Sequence, residues 1–353
     1  MSGCAVVLTN GFLETINAKT AHGMIRGPSR YRIAAVVDAA HAGKDAGEVV
    51  DGRSRGIPVV ADLELAMRSP GAPPDTCVIG VATEGGRLPA SLRADVVAAA
   101  RAGLHLVNGL HEQLADDVEV AGAAREGGGR ITDLRAPRPT RDLHFWTGAS
   151  RRLTVPRVAV LGMDCAIGKR TTTVRLWEAC RRAGLRCQLV TTGQTGWLQG
   201  FDHGFRFDAT PNDFVSGELE HAVLSAAADG DPQLILIEGQ SSLRNPSGPC
   251  GAEMLLSAGA RAVVLQHAPG RRFHDGFEEL GIEIAPLERE VRLIEAYGAR
   301  VVAVTLHAQG MTTDALAEEK ERLESSLGVP VLRPLTDEID ELVGVLRRTE
   351  EIT

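Results

Sequence analysis

Apolar positions along the chain fall into short β-branched runs, each closed by glycine, proline or a charged residue. In the first half they are Val6 to Leu8, Arg32 to Val37, Ile57 to Val60, Thr76 to Val81 and Leu104 to Val107. Between the last two, Pro89 to Ala102 is apolar at helical spacing. The second half restarts with Arg157 to Gly162 and continues with Arg186 to Thr191, Leu234 to Ile237, Ala262 to Gln266, Val301 to Thr305 and Val329 to Leu332. A long helix is predicted from about Lys169 to Arg182, and a last one over Thr336 to Arg347. Strand runs spaced by helical stretches predict βαβ units and a parallel sheet. The pattern therefore predicts an α/β protein of two domains. These are a Rossmann-like N-terminal sheet over residues 1–135 and a P-loop NTPase-like sheet over 157–353. Residues 136–156, interrupted by prolines, read as a linker in which His144-Phe145-Trp146 could clip the domains together.

Length and composition agree with that division. At roughly 150 residues per domain, 353 residues fit two domains. Hydrophobic residues make up 44% and charged residues 24%, ordinary values for a folded, water-soluble chain. The formal net charge of −8 argues against a nucleic-acid-binding surface, though not against a local phosphate pocket. No apolar run reaches the ~18–20 residues that cross a bilayer, and the N-terminus lacks the features of a signal peptide. None of the six cysteines forms a Cys-x-x-Cys pair, so no zinc ribbon or disulfide framework is signalled and no metal site is expected. A cytoplasmic protein without nucleic-acid or membrane partners is expected.

The chemistry concentrates where the second half restarts. The strand Val158 to Leu161 runs into Gly162-Met-Asp-Cys-Ala-Ile-Gly-Lys-Arg-Thr-Thr172. A strand, a glycine-bounded loop and a helix opening on lysine build a phosphate cradle. Loop N–H groups converge on an anion and the helix N-terminus adds its positive end. Gly162, Asp164, Cys165, Ala166, Ile167, Gly168, Lys169, Arg170, Thr171 and Thr172 are the candidate phosphate-binding residues. The match to the standard P-loop is imperfect. Five residues instead of four separate the glycines, and Arg170 stands where a Ser or Thr would ligate Mg²⁺. The hydroxyl moves one place along the helix, about 100° away. Phosphate binding without Mg²⁺ is thus expected. The five-residue spacing resembles the variant loop of dethiobiotin synthetase-like proteins.

Other candidates fall at strand ends, where open α/β sheets place ligands. Glu238 closes the Leu234 strand. Gln194 and Thr195 lie in a glycine-rich turn after the Arg186 strand, and His267, Arg271 and Arg272 follow the Ala262 strand. Asp213 sits in what reads as a helix start. In the first half no Gly-x-Gly-x-x-Gly follows a strand, so the usual dinucleotide site is not supported.

Taken together, the loop, Thr-Gly-Gln-Thr-Gly196, Asp213-Phe-Val-Ser-Gly217, Ile-Glu-Gly-Gln-Ser-Ser-Leu243 and Leu-Gln-His267 resemble one family over most of the chain. Lys19-Thr-Ala-His-Gly23 and Asp45-Ala-Gly47 resemble its N-terminal half. This is the D-glutamate N-acetyltransferase family, which pairs a Rossmann-like domain with a P-loop domain and uses acetyl-CoA. In that family an apolar residue such as Met usually stands at the position of Arg170. The resemblance implies transfer of an acetyl group to the α-amine of D-glutamate or a related acidic amino acid. Glu238, Asp213 or His267 would serve as base. Arg244, Arg271 and Arg272, with Gln194 and Thr195, would hold the substrate. The competing expectations are an ATP- and Mg²⁺-dependent ligase or kinase of the dethiobiotin synthetase type, and a non-enzymatic nucleotide sensor. A homo-oligomer is expected.

Overall fold

Strands this short and this apolar on both faces are stable only when helices cover both sides of the sheet. The computed structural model describes residues 3–348 and builds two such sheets, each six-stranded and parallel throughout. The first comprises β1 (Cys4–Leu8), β2 (Arg32–Val37), β3 (Val59–Val60), β4 (Thr76–Ile79), β5 (His105–Asn108) and β6 (Ile131–Asp133), in the order β3-β2-β1-β4-β5-β6. That is the doubly wound Rossmann order. One face buries Val6, Leu8, Ile79 and Leu106 against the helix Ala90–Arg101; the other buries Ala5, Val7, Val78 and Val107 with Met24 and Ile25. The three-residue β6, half-buried at the sheet edge, carries too little pattern to be read from sequence.

The second sheet comprises β7 (Arg157–Gly162), β8 (Cys187–Val190), β9 (Leu234–Glu238), β10 (Ala262–His267), β11 (Arg300–Leu306) and β12 (Val331–Leu332). Their order is β12-β11-β10-β7-β9-β8. The central strand β7 lies between β9 and β10, with Val160 opposite Glu238 and Gly162 opposite Gln266. The carboxyl ends of these three strands therefore lie side by side. The last helix is shorter than predicted, Glu341–Arg347, because Asp337 instead accepts from Arg333 in a preceding turn. Among the described residues no helix is long and apolar enough to cross a membrane.

Two compact units result, and their membership departs from the boundaries expected from sequence. The second unit begins at Pro139, inside the segment read as a linker. From His144 the chain lies as a strap along the helix Asn212–Ala228. Glu218 accepts the His144 N–H at 2.7 Å and Nδ1 at 2.8 Å. Glu220 accepts the N–H groups of Thr147 and Ser150 at 2.7 and 3.1 Å. The Trp146 indole donates to the Ser257 carbonyl. The aromatic triplet thus anchors a strap within one unit. Conversely, Gly193–Phe201 groups with the first unit. Its buried Leu198 joins the cluster of Met24 and Ile25, and Gln199 Nε2 donates to the Gly23 carbonyl at 3.0 Å.

Glu220 is 2% exposed. Burial pushes its carboxyl up, but the donors of Thr147 and Ser150 outweigh it and hold the group below its ordinary value. Its stabilisation is therefore complete above the ordinary carboxylate range and is lost as pH falls through the lowered folded value. Glu220→Ala leaves the Thr147 N–H, the Thr147 hydroxyl and the Ser150 N–H without this acceptor and is expected to lower unfolding free energy by about 2–3 kcal/mol in urea titration. Wild-type stability at neutral pH in the variant would contradict this.

Candidate functional site

Between β7 and the helix Lys169–Arg182 the backbone turns twice through the left-handed region, at Ala166 (φ 52°) and Gly168 (φ 96°). Turns of this kind bring successive N–H groups round to one side. No side chain caps the helix, so its first-turn N–H groups have no intrahelical acceptor and the loop has the makings of an anion receptacle. Gly162 ends the strand where a Cβ would come within 2.8 Å of Lys169 Cδ; its absence lets the lysine lie back along the loop. Lys169 is 7% exposed, and Nζ donates to the loop's own Asp164 carbonyl at 2.5 Å. Burial pushes the ammonium below its ordinary value, while Cys165 and Asp164 work the other way. Ile167 is fully buried; Cys165 is half-buried, with Sγ 3.5 Å from Ser241 Oγ.

The first helical turn settles what the spacing left open. Arg170 Nε donates to Glu238 Oε1 at 2.8 Å, joining loop and β9 in an ion pair whose carboxylate is 2% exposed. The other Glu238 oxygen accepts the Thr192 N–H at 3.3 Å. The Thr172 hydroxyl is buried and donates to Gln266 Oε1, which also accepts from Thr305 at 2.7 Å. Of the two threonines, Thr172 thus faces the sheet and Thr171 is half-buried beyond the arginine.

Asp164 is the hub that shapes this loop. Its fully buried carboxylate receives Asn245 Nδ2 at 3.1 Å, His274 Nδ1 at 3.0 Å, Arg271 Nη1 at 2.8 Å and the Asp275 N–H at 2.9 Å. Arg271 also donates to the Cys165 carbonyl at 2.8 Å and to Gln309 Oε1 at 2.6 Å. Burial acts to raise the Asp164 pKa, but the His274 and Arg271 donors win and the group lies below its ordinary value. Arg271, a sequence candidate for holding substrate, is therefore a clamp on the loop. Asn245, His274, Asp275 and Gln309 had no sequence signal, since their partners lie far along the chain.

The remaining candidates separate. His267, at the end of β10, turns away from Gln266 into a cleft of about 250 Å³ lined by Arg271, Arg272, Leu287, Glu288 and Arg322. Its buried Nδ1 has no hydrogen-bond partner, and burial pushes the imidazole down to about 4. Arg272 pairs with Glu283 at 2.6 Å on the surface. Arg244 pairs at 2.9 Å with Glu290, whose carboxyl burial pushes up. Asp213 is exposed in the first turn of its helix, without a hydrogen bond to the loop among the described residues. Gln194 and Thr195 are buried in the first unit: Gln194 Oε1 accepts from Arg135 at 3.0 Å, and Thr195 Oγ1 lies 3.4 Å from Thr20 Oγ1.

Among the described residues no group of three or more His, Cys, Asp or Glu side chains could hold a metal ion. In the first unit Asp38 ends β2, where dinucleotide-binding Rossmann folds place a ribose-binding acid. Here it is buried and accepts the N–H groups of Gly11 and Leu13 at 2.8 and 3.0 Å, organising the loop after β1. Asp164→Asn removes one acceptor oxygen from the hub and is expected to cost about 2–3 kcal/mol of stability at neutral pH. It should also flatten the loss of stability that sets in as pH falls from the ordinary carboxylate range through the lowered folded value, because the carboxylate stabilises only while ionised. Urea titrations at neutral and at acid pH check both; an unchanged pH profile in the variant would contradict the hub.

Residues 144–343 match the domain described as a P-loop domain of unknown function, DUF1611_C, and residues 39–137 match the Rossmann-like domain DUF1611_N. A protein named D-glutamate N-acetyltransferase from Tritonibacter scottomollicae is 30% identical over 280 residues, covering 77% of this chain and 80% of that protein. Another of the same name from a Pseudoalteromonas species is 28% identical over 277 residues, 77% and 81% of the two chains. The crystal structure of a DUF1611 family protein from Anabaena variabilis superposes with a TM-score of 0.87 at 28% identity, covering 98% of this chain and 99% of that one. With both domains matched in order and the architecture shared end to end, the chain belongs to the DUF1611 family.

Proposed function

We propose that this protein is an amino-acid N-acetyltransferase that moves an acetyl group from acetyl-CoA to the α-amine of D-glutamate or a closely related acidic amino acid. The observation that carries the reading is the loop of residues 162–168 with its buried Lys169, on a chain whose relatives bear that enzyme name. Coenzyme A presents a pyrophosphate and a 3′-phosphate, so a phosphate cradle serves it without hydrolysing anything. The loop N–H groups and Lys169 suit those phosphates; the thioester supplies the acetyl group.

The acceptor amine needs a neighbour that takes its proton. Glu238 is held by Arg170, and Asp213 lies exposed at a helix start, which leaves His267. Its imidazole is neutral at physiological pH and its Nδ1 is unpartnered. The cleft around it has room for a small amino acid, and Arg271 links its wall to the loop. A substrate carboxylate bound there raises the imidazole toward the neutral range, where proton transfer is most efficient. The amine nitrogen bonds to the acetyl carbon and the carbon–sulfur bond breaks. The proton taken by His267 is then available to the departing thiolate.

The test is to incubate the purified protein with acetyl-CoA and D- or L-glutamate or aspartate, following free thiol and the acetylated product by mass. Thiol release with an acidic amino acid is expected. No release with any of them rejects the reading, and Mg²⁺-dependent ADP formation from ATP would favour the ligase or kinase class. Lys169→Ala should raise the KM for acetyl-CoA about tenfold or more. His267→Ala should lower kcat about 10²-fold with that KM little changed. The reverse pattern would exchange the two roles.

A further inference from the structure

We infer that Arg170 is a tethered cation standing where metal-dependent P-loop enzymes hold Mg²⁺, and that it makes phosphate binding at this loop independent of a divalent metal. The inference rests on the reading of the loop as a phosphate site. In those enzymes two protein groups hold the metal: a hydroxyl directly after the loop lysine and a carboxylate at the end of a neighbouring strand. Both positions are identifiable here. The first is Arg170 itself. The second is Glu238, at the end of the strand beside β7, and its Oε1 lies 2.8 Å from Arg170 Nε. The guanidinium therefore meets the carboxylate that a metal would otherwise meet.

The neighbouring hydroxyls do not restore a metal site. Thr172 is buried on Gln266, and Thr173 donates to the Lys169 carbonyl at 2.8 Å. Thr171 lies one place further round the helix, about 100° from the ligand direction. A buried carboxylate needs a counter-charge, and Arg170 supplies it permanently because a guanidinium does not lose its proton. Only Nε is used in the pair, so the forked Nη groups remain to donate to phosphate oxygens. A phosphate ester that arrives without a metal gains that cation. A nucleotide that arrives with Mg²⁺ brings a second positive charge to a place already filled by one. The arrangement selects the metal-free phosphates of a ligand such as coenzyme A over Mg²⁺-nucleotides.

The test is equilibrium binding of acetyl-CoA and of ATP, each in EDTA and in excess Mg²⁺, to the wild type, Arg170→Thr, Arg170→Lys and Lys169→Ala, with thermal unfolding as a check on folding. The wild type should bind acetyl-CoA within about twofold equally in both buffers. Arg170→Thr should lose about tenfold or more of the metal-free affinity and gain a Mg²⁺ requirement for ATP. Arg170→Lys, which keeps the charge, should retain metal independence. Should Arg170→Thr not fold, Arg170→Gln takes its place: loss of about tenfold or more of the metal-free affinity supports the inference, and unaltered metal-free binding overturns it. A tenfold or greater gain from Mg²⁺ in the wild type, or unaltered metal-free binding by a folded Arg170→Thr, overturns the inference while leaving the phosphate loop standing. If Lys169→Ala binds as tightly as the wild type, or the wild type binds neither ligand in either buffer, the loop itself is not the phosphate site and the inference falls with it.

Discussion

The loop after β7 is held in its shape by one buried charge, the Asp164 carboxylate. It gathers donors from the segment after β9, through Asn245, and from the segment after β10, through Arg271, His274 and Asp275. Three loops at adjacent strand ends are thereby tied to one buried charge. Arg271 extends the restraint by also donating to the Cys165 carbonyl at 2.8 Å. A carboxylate inside an anion site would ordinarily repel the ligand. Here its charge is matched by the Arg271 guanidinium and by directed donors, so it shapes the loop with little net field.

The positive charge of the site is arranged in the same economical way. Lys169 rests on the Asp164 carbonyl and Arg170 on Glu238, so each cation is held by the scaffold before a ligand arrives. Preorganised charges lose little freedom on binding and need no solvent rearrangement at the moment of reaction. The cost falls on the carboxylates. Glu238, at the end of β9, is the support of Arg170.

The strand-loop-helix core was legible because its signals are local. Arg157–Gly162 and Lys169–Arg182 stand in the structure with the bounds the pattern predicts, and the parallel α/β organisation follows from runs of the same kind. Neighbours in space but not in sequence were invisible. His274 and Arg271 are 110 and 107 positions from Asp164, and no spacing rule reaches that far. Around Gln194 and Thr195 the pattern was legible only in part. Glycines after a strand end read as a ligand loop, while the apolar Trp197-Leu198 beside them carried the true signal, a short helix buried against the first unit. The prolines after Arg135 likewise suggested a free linker, but the buried Glu218 and Glu220 on a distant helix hold that segment as a strap.

We propose that the backbone amides of residues 166–171, with Lys169, receive the phosphates of coenzyme A. The most direct measurement is a crystal structure of the protein grown with coenzyme A and without a divalent metal. A phosphate group is expected against those amides, with Lys169 Nζ moved from the Asp164 carbonyl to a phosphate oxygen. Coenzyme A bound elsewhere, with Lys169 still on that carbonyl, would contradict it.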